Sequence, residues 1–148
     1  MITREEATEL ILAAKYEKKL TFEAIAKAVG RHKVWVTSAL LGQATMNAEE
    51  AQKTTELLGL GGHVTQALQQ FPMKGSLDTD VPVDPLIYRF HEITQVYGTT
   101  LKAIIHEMFG DGIMSAIDFE MDVQKKEDPK GDRVVVTLNG KFLPYKKW

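Results

Sequence analysis

Residues 84–123 read DPLIYRFHEITQVYGTTLKAIIHEMFGDGIMSAIDFEMDV, and the hydrophobic period changes once within them. From Leu86, apolar residues recur at Phe90, Ile93, Tyr97, Leu101, Ile104 and Met108, in steps of three and four. That spacing marks one face of an α-helix of about six turns. Asp84 can cap it, Pro85 suits the first helical position, and Gly110 ends it. After Gly110-Asp111-Gly112 the period becomes two. Ile113, Ser115, Ile117, Phe119, Met121 and Val123 then face one way, and Met114, Ala116, Asp118, Glu120 and Asp122 the other. A polar loop at 125–132 and a strand at 133–138 follow. Asn139-Gly140 gives a hairpin signal leading into Lys141-Phe142-Leu143. The expectation is one long helix followed by a small antiparallel sheet of three short strands.

Upstream, the segment 69–85 carries Pro72, Gly75, Pro82 and Pro85 among Ser and Asp, punctuation typical of a connector. It divides the chain into 1–75 and 76–148. The first part reads as short helices. Thr3 with Glu5 and Glu6 starts one whose apolar stripe is Ala7, Leu10, Ile11 and Ala14. Thr21 opens a second, with Phe22, Ile25, Ala26 and Val29 inward, stopped by Gly30. A third runs through Val34, Trp35, Ala39 and Leu40 towards Gly42, and Asn47 caps a fourth from about Ala48 to Leu58. Helix, tight turn at Gly30 and helix make a helix-turn-helix-like unit. The fold class expected is therefore α+β: an all-helical bundle, then a long helix and a small antiparallel sheet.

The second part has a thin core for about 70 residues. Its helix carries further apolar residues at Ile87, Val96 and Ile105, more than a small sheet can cover. Self-association through this part is the economical expectation.

Composition narrows the function. The chain has 148 residues, with 44% hydrophobic and 26% charged side chains and a formal net charge of -2. Residues 1–75 hold 9 basic and 8 acidic groups, and 76–148 hold 9 and 12, so the acidic excess lies in the second part. A protein devoted to nucleic acid would be clearly basic, because phosphate neutralisation supplies most of that affinity. There are no cysteines, which excludes disulfides, a thiolate nucleophile and Cys-based zinc sites. The polar start and the lack of any apolar run of about 18 residues point to a cytoplasmic protein without a membrane span.

Few residues stand out chemically. Ser115 is the one polar side chain in its row, and a buried hydroxyl without a partner costs roughly 1–3 kcal/mol. A hydrogen bond to a neighbouring carbonyl, or tight packing, explains such a serine without any function. Arg89 and Glu92, three apart on the flank of the helix stripe, can form an ion pair in which the carboxylate aims the guanidinium. A solvated surface pair worth about 0–0.5 kcal/mol is the plainer account of them. Periodicity alone favours the plainer reading in both cases. Among His32, His63, His91 and His106 no pair has the i,i+4 spacing of a helical metal site. The Gly-rich stretch 59–62 lacks the preceding strand of a phosphate loop and reads as a turn between helices.

The runs DPLIYRFHEI, VYGTTLKAIIHE and FGDGIMSAIDF, followed by LNGKFLP, closely resemble the C-terminal region of the cyanate hydratase (cyanase) family. The resemblance is strong over 84–144 and weaker before it. His91 stands where the family's YRFYE pattern has tyrosine. The resemblance implies a lyase that converts cyanate and bicarbonate to ammonia and carbon dioxide through carbamate. It implies no metal and no organic cofactor, bicarbonate being a co-substrate. It implies Arg89, Glu92 and Ser115 as the catalytic residues, and a homodecamer of five dimers with sites shared between subunits.

The competing expectation is a helix-turn-helix transcription regulator with a C-terminal dimerisation domain. It rests on residues 20–42 alone. A recognition helix should offer Arg, Lys, Asn or Gln to base edges. This one offers Val34, Trp35, Val36, Thr37, Ser38, Ala39 and Leu40, with Arg31, His32 and Lys33 only at its entrance. No nucleic-acid partner is expected.

Overall fold

A computed structural model describes residues 2–148, which form two compact units, one up to Ser76 and the other Leu77–Trp148. The first consists of α1 (Arg4–Glu17), α2 (Phe22–Val29), α3 (Lys33–Leu40), α4 (Ala48–Leu58) and α5 (Gly62–Leu68). Local chemistry sets most of these ends. Thr3 and Glu6 form a reciprocal capping box at α1, and Asn47 and Glu50 do the same at α4. Gly30 ends α2 at φ 81°, a left-handed conformation that costs glycine no Cβ clash. Ile11, Ile25, Val36, Leu40, Met46, Leu58, Val64 and Leu68 fill the core between the five helices. No helix among the described residues is long and apolar enough to cross a membrane.

Two details of this unit depart from the sequence reading. Leu10 is 40% exposed, and the buried face of α1 is Arg4, Ala7, Ile11 and Ala14. At 100° per residue Leu10 lies about 80° from the centre of that face, whereas Ile11 lies about 20° from it. Residues 59–61 form a turn between helices as expected, but Gly62 already opens α5, which the sequence reading did not place. That helix is only seven residues long and starts at Gly61 with no side-chain cap, so it leaves little local signal.

Arg4 explains why an arginine lies on a core face. Its Nη1 donates to the Ala67 carbonyl at 3.0 Å, and its Nη2 to the carbonyls of Ala39 at 2.9 Å and Ala44 at 3.0 Å. Ala39 and Ala67 lie in the last turns of α3 and α5, where the dipole favours a cation, and their carbonyls also accept from Gly42 N and Gln70 N at 3.1 Å. Burial pulls the guanidinium below its ordinary pKa. Arg4→Met should therefore destabilise this unit by about 3 kcal/mol, because it removes three hydrogen bonds from a charged donor. Urea unfolding followed by far-UV circular dichroism measures it, and a loss under about 1 kcal/mol would contradict the role.

The second unit contains α6 (Pro85–Phe109), β1 (Gly112–Lys126) and β2 (Arg133–Pro144), the strands paired antiparallel. Asp84 caps α6, its carboxylate accepting from Leu86 N at 2.9 Å and Ile87 N at 3.0 Å. No residue of α6 is buried within the chain. The stripe from Leu86 to Met108 is present, and every one of its residues is about half exposed or more. Where α6 meets the sheet, Phe109 stacks on Phe142 with ring centroids 5.0 Å apart, and His106 Nε2 lies 3.2 Å from the Gly112 carbonyl.

The sheet corrects the expectation of three strands. Asn139-Gly140 is not a hairpin turn, and β2 runs through it, with Asn139 opposite Glu120 and Gly140 opposite Phe119. The irregularity lies instead on β1. Phe119 pairs with Gly140 and Met114 with Phe142, so residues 115–118 stand opposite the single residue Lys141. This bulge breaks the alternation, and Ile117, expected on the row of Ser115, is 98% exposed.

Candidate active site

The first turns of α6 place one part of the site. With the helix phase set by the Asp84 cap and Pro85, Arg89 and Glu92 lie one turn apart, and Arg89 Nη1 donates to Glu92 Oε2 at 2.8 Å. Their side chains are 63% and 46% exposed. An ion pair this open adds little stability in water. What it does achieve is orientation, since the carboxylate holds one nitrogen of a planar fork whose remaining donors can meet an anion. On the same turns the rings of Tyr88 and His91 sit with centroids 5.7 Å apart, so His91 packs on a neighbour rather than on the ion pair.

The bulge places the other part. Ser115 is 6% exposed, and its Oγ accepts from Ile117 N at 3.0 Å and Asp118 N at 2.9 Å. The sequence reading anticipated a buried serine satisfied by a carbonyl; the hydroxyl instead accepts two N–H bonds. A serine oxygen has two acceptor positions, and both are taken. What remains is the O–H, polarised by two donors on its oxygen and suited to stabilising charge that develops nearby.

The structure thus brings Arg89 and Glu92 together, while Ser115 is held by its own strand. Among the described residues, no hydrogen bond or ion pair within the chain joins Ser115 to either. No three His, Cys, Asp or Glu side chains among the described residues converge as a metal group would require.

The helix-turn-helix-like unit has little to offer a base edge. At the entrance to α3, Arg31 Nε is paired to Glu50 Oε1 at 2.6 Å and Lys33 lies 3.5 Å from Glu23. His32 Nδ1 accepts from Val34 N at 3.3 Å, serving as the helix cap. The cations there are engaged in holding the helices.

Comparison with known proteins gives a consistent result over both units. A family model described as the cyanate lyase C-terminal domain matches residues 79–147, and one described as cyanate hydratase, N-terminal, matches residues 4–72. The chain is 61% identical over 141 residues to a cyanate hydratase of Synechococcus sp., covering 95% of this chain and 94% of that protein. It is 56% identical over 147 residues to one of Albidiferax ferrireducens, covering 99% and 100%. Among solved structures, the crystal structure of cyanase from T. urticae superposes with a TM-score of 0.84 at 43% identity, covering 93% of this chain and 96% of that one.

Proposed function

This chain belongs to the cyanate lyase family, and we propose that it decomposes cyanate with bicarbonate to ammonia and carbon dioxide by way of carbamate, as a cytoplasmic homo-oligomer. A bicarbonate oxygen attacks the cyanate carbon. The adduct takes up one proton and loses carbon dioxide, leaving carbamate. Carbamate takes up a second proton and breaks its C–N bond, releasing ammonia and a second carbon dioxide. The route calls for no metal and no organic cofactor.

Each side chain has a physical task in it. Two small anions repel, so holding them side by side demands a fixed cation, and Arg89 supplies a fork that matches a carboxylate-like edge. Glu92 aims that fork; a bare carboxylate facing the reactants would repel both. Ser115 donates its O–H to the oxygen or nitrogen on which charge accumulates. Pre-positioning the pair accounts for much of the acceleration, because it replaces an encounter between like charges in water.

The observation that carries this assignment is the Ser115 oxygen, held by two backbone N–H groups so that only donation is left to it. The bare α6 supports the oligomer: a helix with a continuous apolar stripe and no buried residue has its cover supplied by other copies of the chain. A decamer of five dimers, with Arg89 and Ser115 meeting across subunits, also fits the lack of any hydrogen bond between them among the described residues.

The test is ammonia release from cyanate with and without bicarbonate, together with solution mass. Ammonia should appear only when both anions are present, and the mass should be a large multiple of 16.6 kDa. Release that ignores bicarbonate overturns the co-substrate, and no release at all overturns the enzyme. A monomer overturns the shared site.

A further inference from the structure

Gly140 lies in the middle of β2, makes no turn and has no positive φ, so neither ordinary reason for a glycine applies to it. Its surroundings supply another. A Cβ built on Gly140 would collide with the Ser115 carbonyl oxygen, and would also lie 2.6 Å from Met114 Cγ and 3.3 Å from Met114 Sδ. These are the residues at which β1 leaves its register, with 115–118 opposite Lys141 alone. We propose that Gly140 is the positioning residue for Ser115: the bare backbone of β2 lets the 115–116 peptide settle against it, and that placement aims the Ser115 hydroxyl. The inference rests on the donor role assigned to Ser115 above.

The mechanical link is short. The Ser115 carbonyl, its Oγ and the two N–H groups that hold Oγ all belong to residues 115–118. A methyl group at 140 pushes on the carbonyl, which is backbone and cannot swing aside as a side-chain tip would. The peptide must tilt, and the N–H groups of Ile117 and Asp118 turn with it. The hydroxyl then loses the clamp that leaves it only a donor. In sequence, Asn139-Gly140 resembles a hairpin turn, which conceals this use of the glycine.

The experiment compares wild type, Gly140→Ala, Ser115→Ala and the double variant by steady-state kinetics and by hydrogen exchange of the peptide spanning 115–119. Gly140→Ala should lower kcat about 100-fold with KM little changed, and should speed exchange at Ile117 and Asp118 while residues 120–126 stay protected. The double variant should be no slower than Ser115→Ala alone, because a residue acting through Ser115 has nothing left to act on. Wild-type kcat in Gly140→Ala, a double variant whose losses multiply, or lost activity with unchanged exchange at 117 and 118 would each overturn the proposal.

If Gly140→Ala fails to fold, Met114→Ala is added, which removes one obstacle and leaves the carbonyl. The kinetic loss should then persist. Recovery to wild-type kcat, or a double variant that is still unfolded, assigns Gly140 to the packing of the sheet and overturns the proposal. A wild type that releases no ammonia defeats the proposed function instead, and the exchange comparison still decides whether Gly140 governs the clamp.

Discussion

Ser115→Ala should lower kcat about 1000-fold, the upper part of the range seen when one donor to a developing charge is removed. The structure separates this loss from unfolding. Truncation leaves the N–H groups of Ile117 and Asp118 without their acceptor, but both residues are exposed and water can replace it. The stability cost should therefore be near 1 kcal/mol. Steady-state kinetics and thermal melting on the same preparation check both numbers. Activity within about tenfold of wild type would contradict the donor role, and a collapsed melting temperature would show that the hydroxyl serves the sheet first. Ser115→Cys keeps a hydrogen on the group but makes a weaker donor through a larger atom, so it should recover little activity.

Arg89→Lys should lose about as much, in spite of keeping the charge. Lysine can still reach Glu92, and a pair this exposed adds less than about 1 kcal/mol to folding, so stability should hardly move. The ammonium, however, is a point charge. Once paired to Glu92 it has no second donor in a fixed plane to present to a carboxylate edge. Loss should appear in both kcat and KM for the anions, because the fork holds them before and during reaction. Near-native turnover in this variant would refute the assignment. Adding Glu92→Gln to Arg89→Lys should cost little more than Arg89→Lys alone, since a residue whose task is to aim the fork has no fork left to aim.

Much of the fold was legible because it is local. Thr3, Asn47 and Asp84 carry side chains that accept the first free N–H groups of their helices, and these caps appear where the sequence places them. The change of period at Gly110 marks the end of α6. Three features were less visible. Leu10 fits a stripe as well as Ile11 does over a single turn, and only the core shows which of the two faces inward. Asn139-Gly140 has the chemistry of a turn, but with residues 115–118 accommodated on β1, the partner strand runs straight through it. Arg4 looks like an ordinary charge at a helix start, and its three carbonyl partners lie between 35 and 63 residues away.

The candidate residues divide in the same way. Arg89 and Glu92 are one helical turn apart, so sequence spacing already implies their contact, and a 2.8 Å hydrogen bond is what the helix delivers. Ser115 is buried as expected, but its row is broken immediately beyond it, and its oxygen accepts two backbone N–H bonds where a bond donated to a carbonyl was expected. A bulge comes from the match of two strands, and no window on one strand contains that information.

Taken alone, the chain of residues determined where most of the helices, though not α5, start and stop, which faces are apolar, and that α6 carries more apolar surface than its own unit can hide. Those properties follow from side chains acting within a turn or two of themselves. Tertiary structure decided the slip between β1 and β2, the grip of two amides on Ser115 and the need for a bare backbone at Gly140. Each of these depends on where one strand comes to rest against another, a distance set by the packing of both and written in neither.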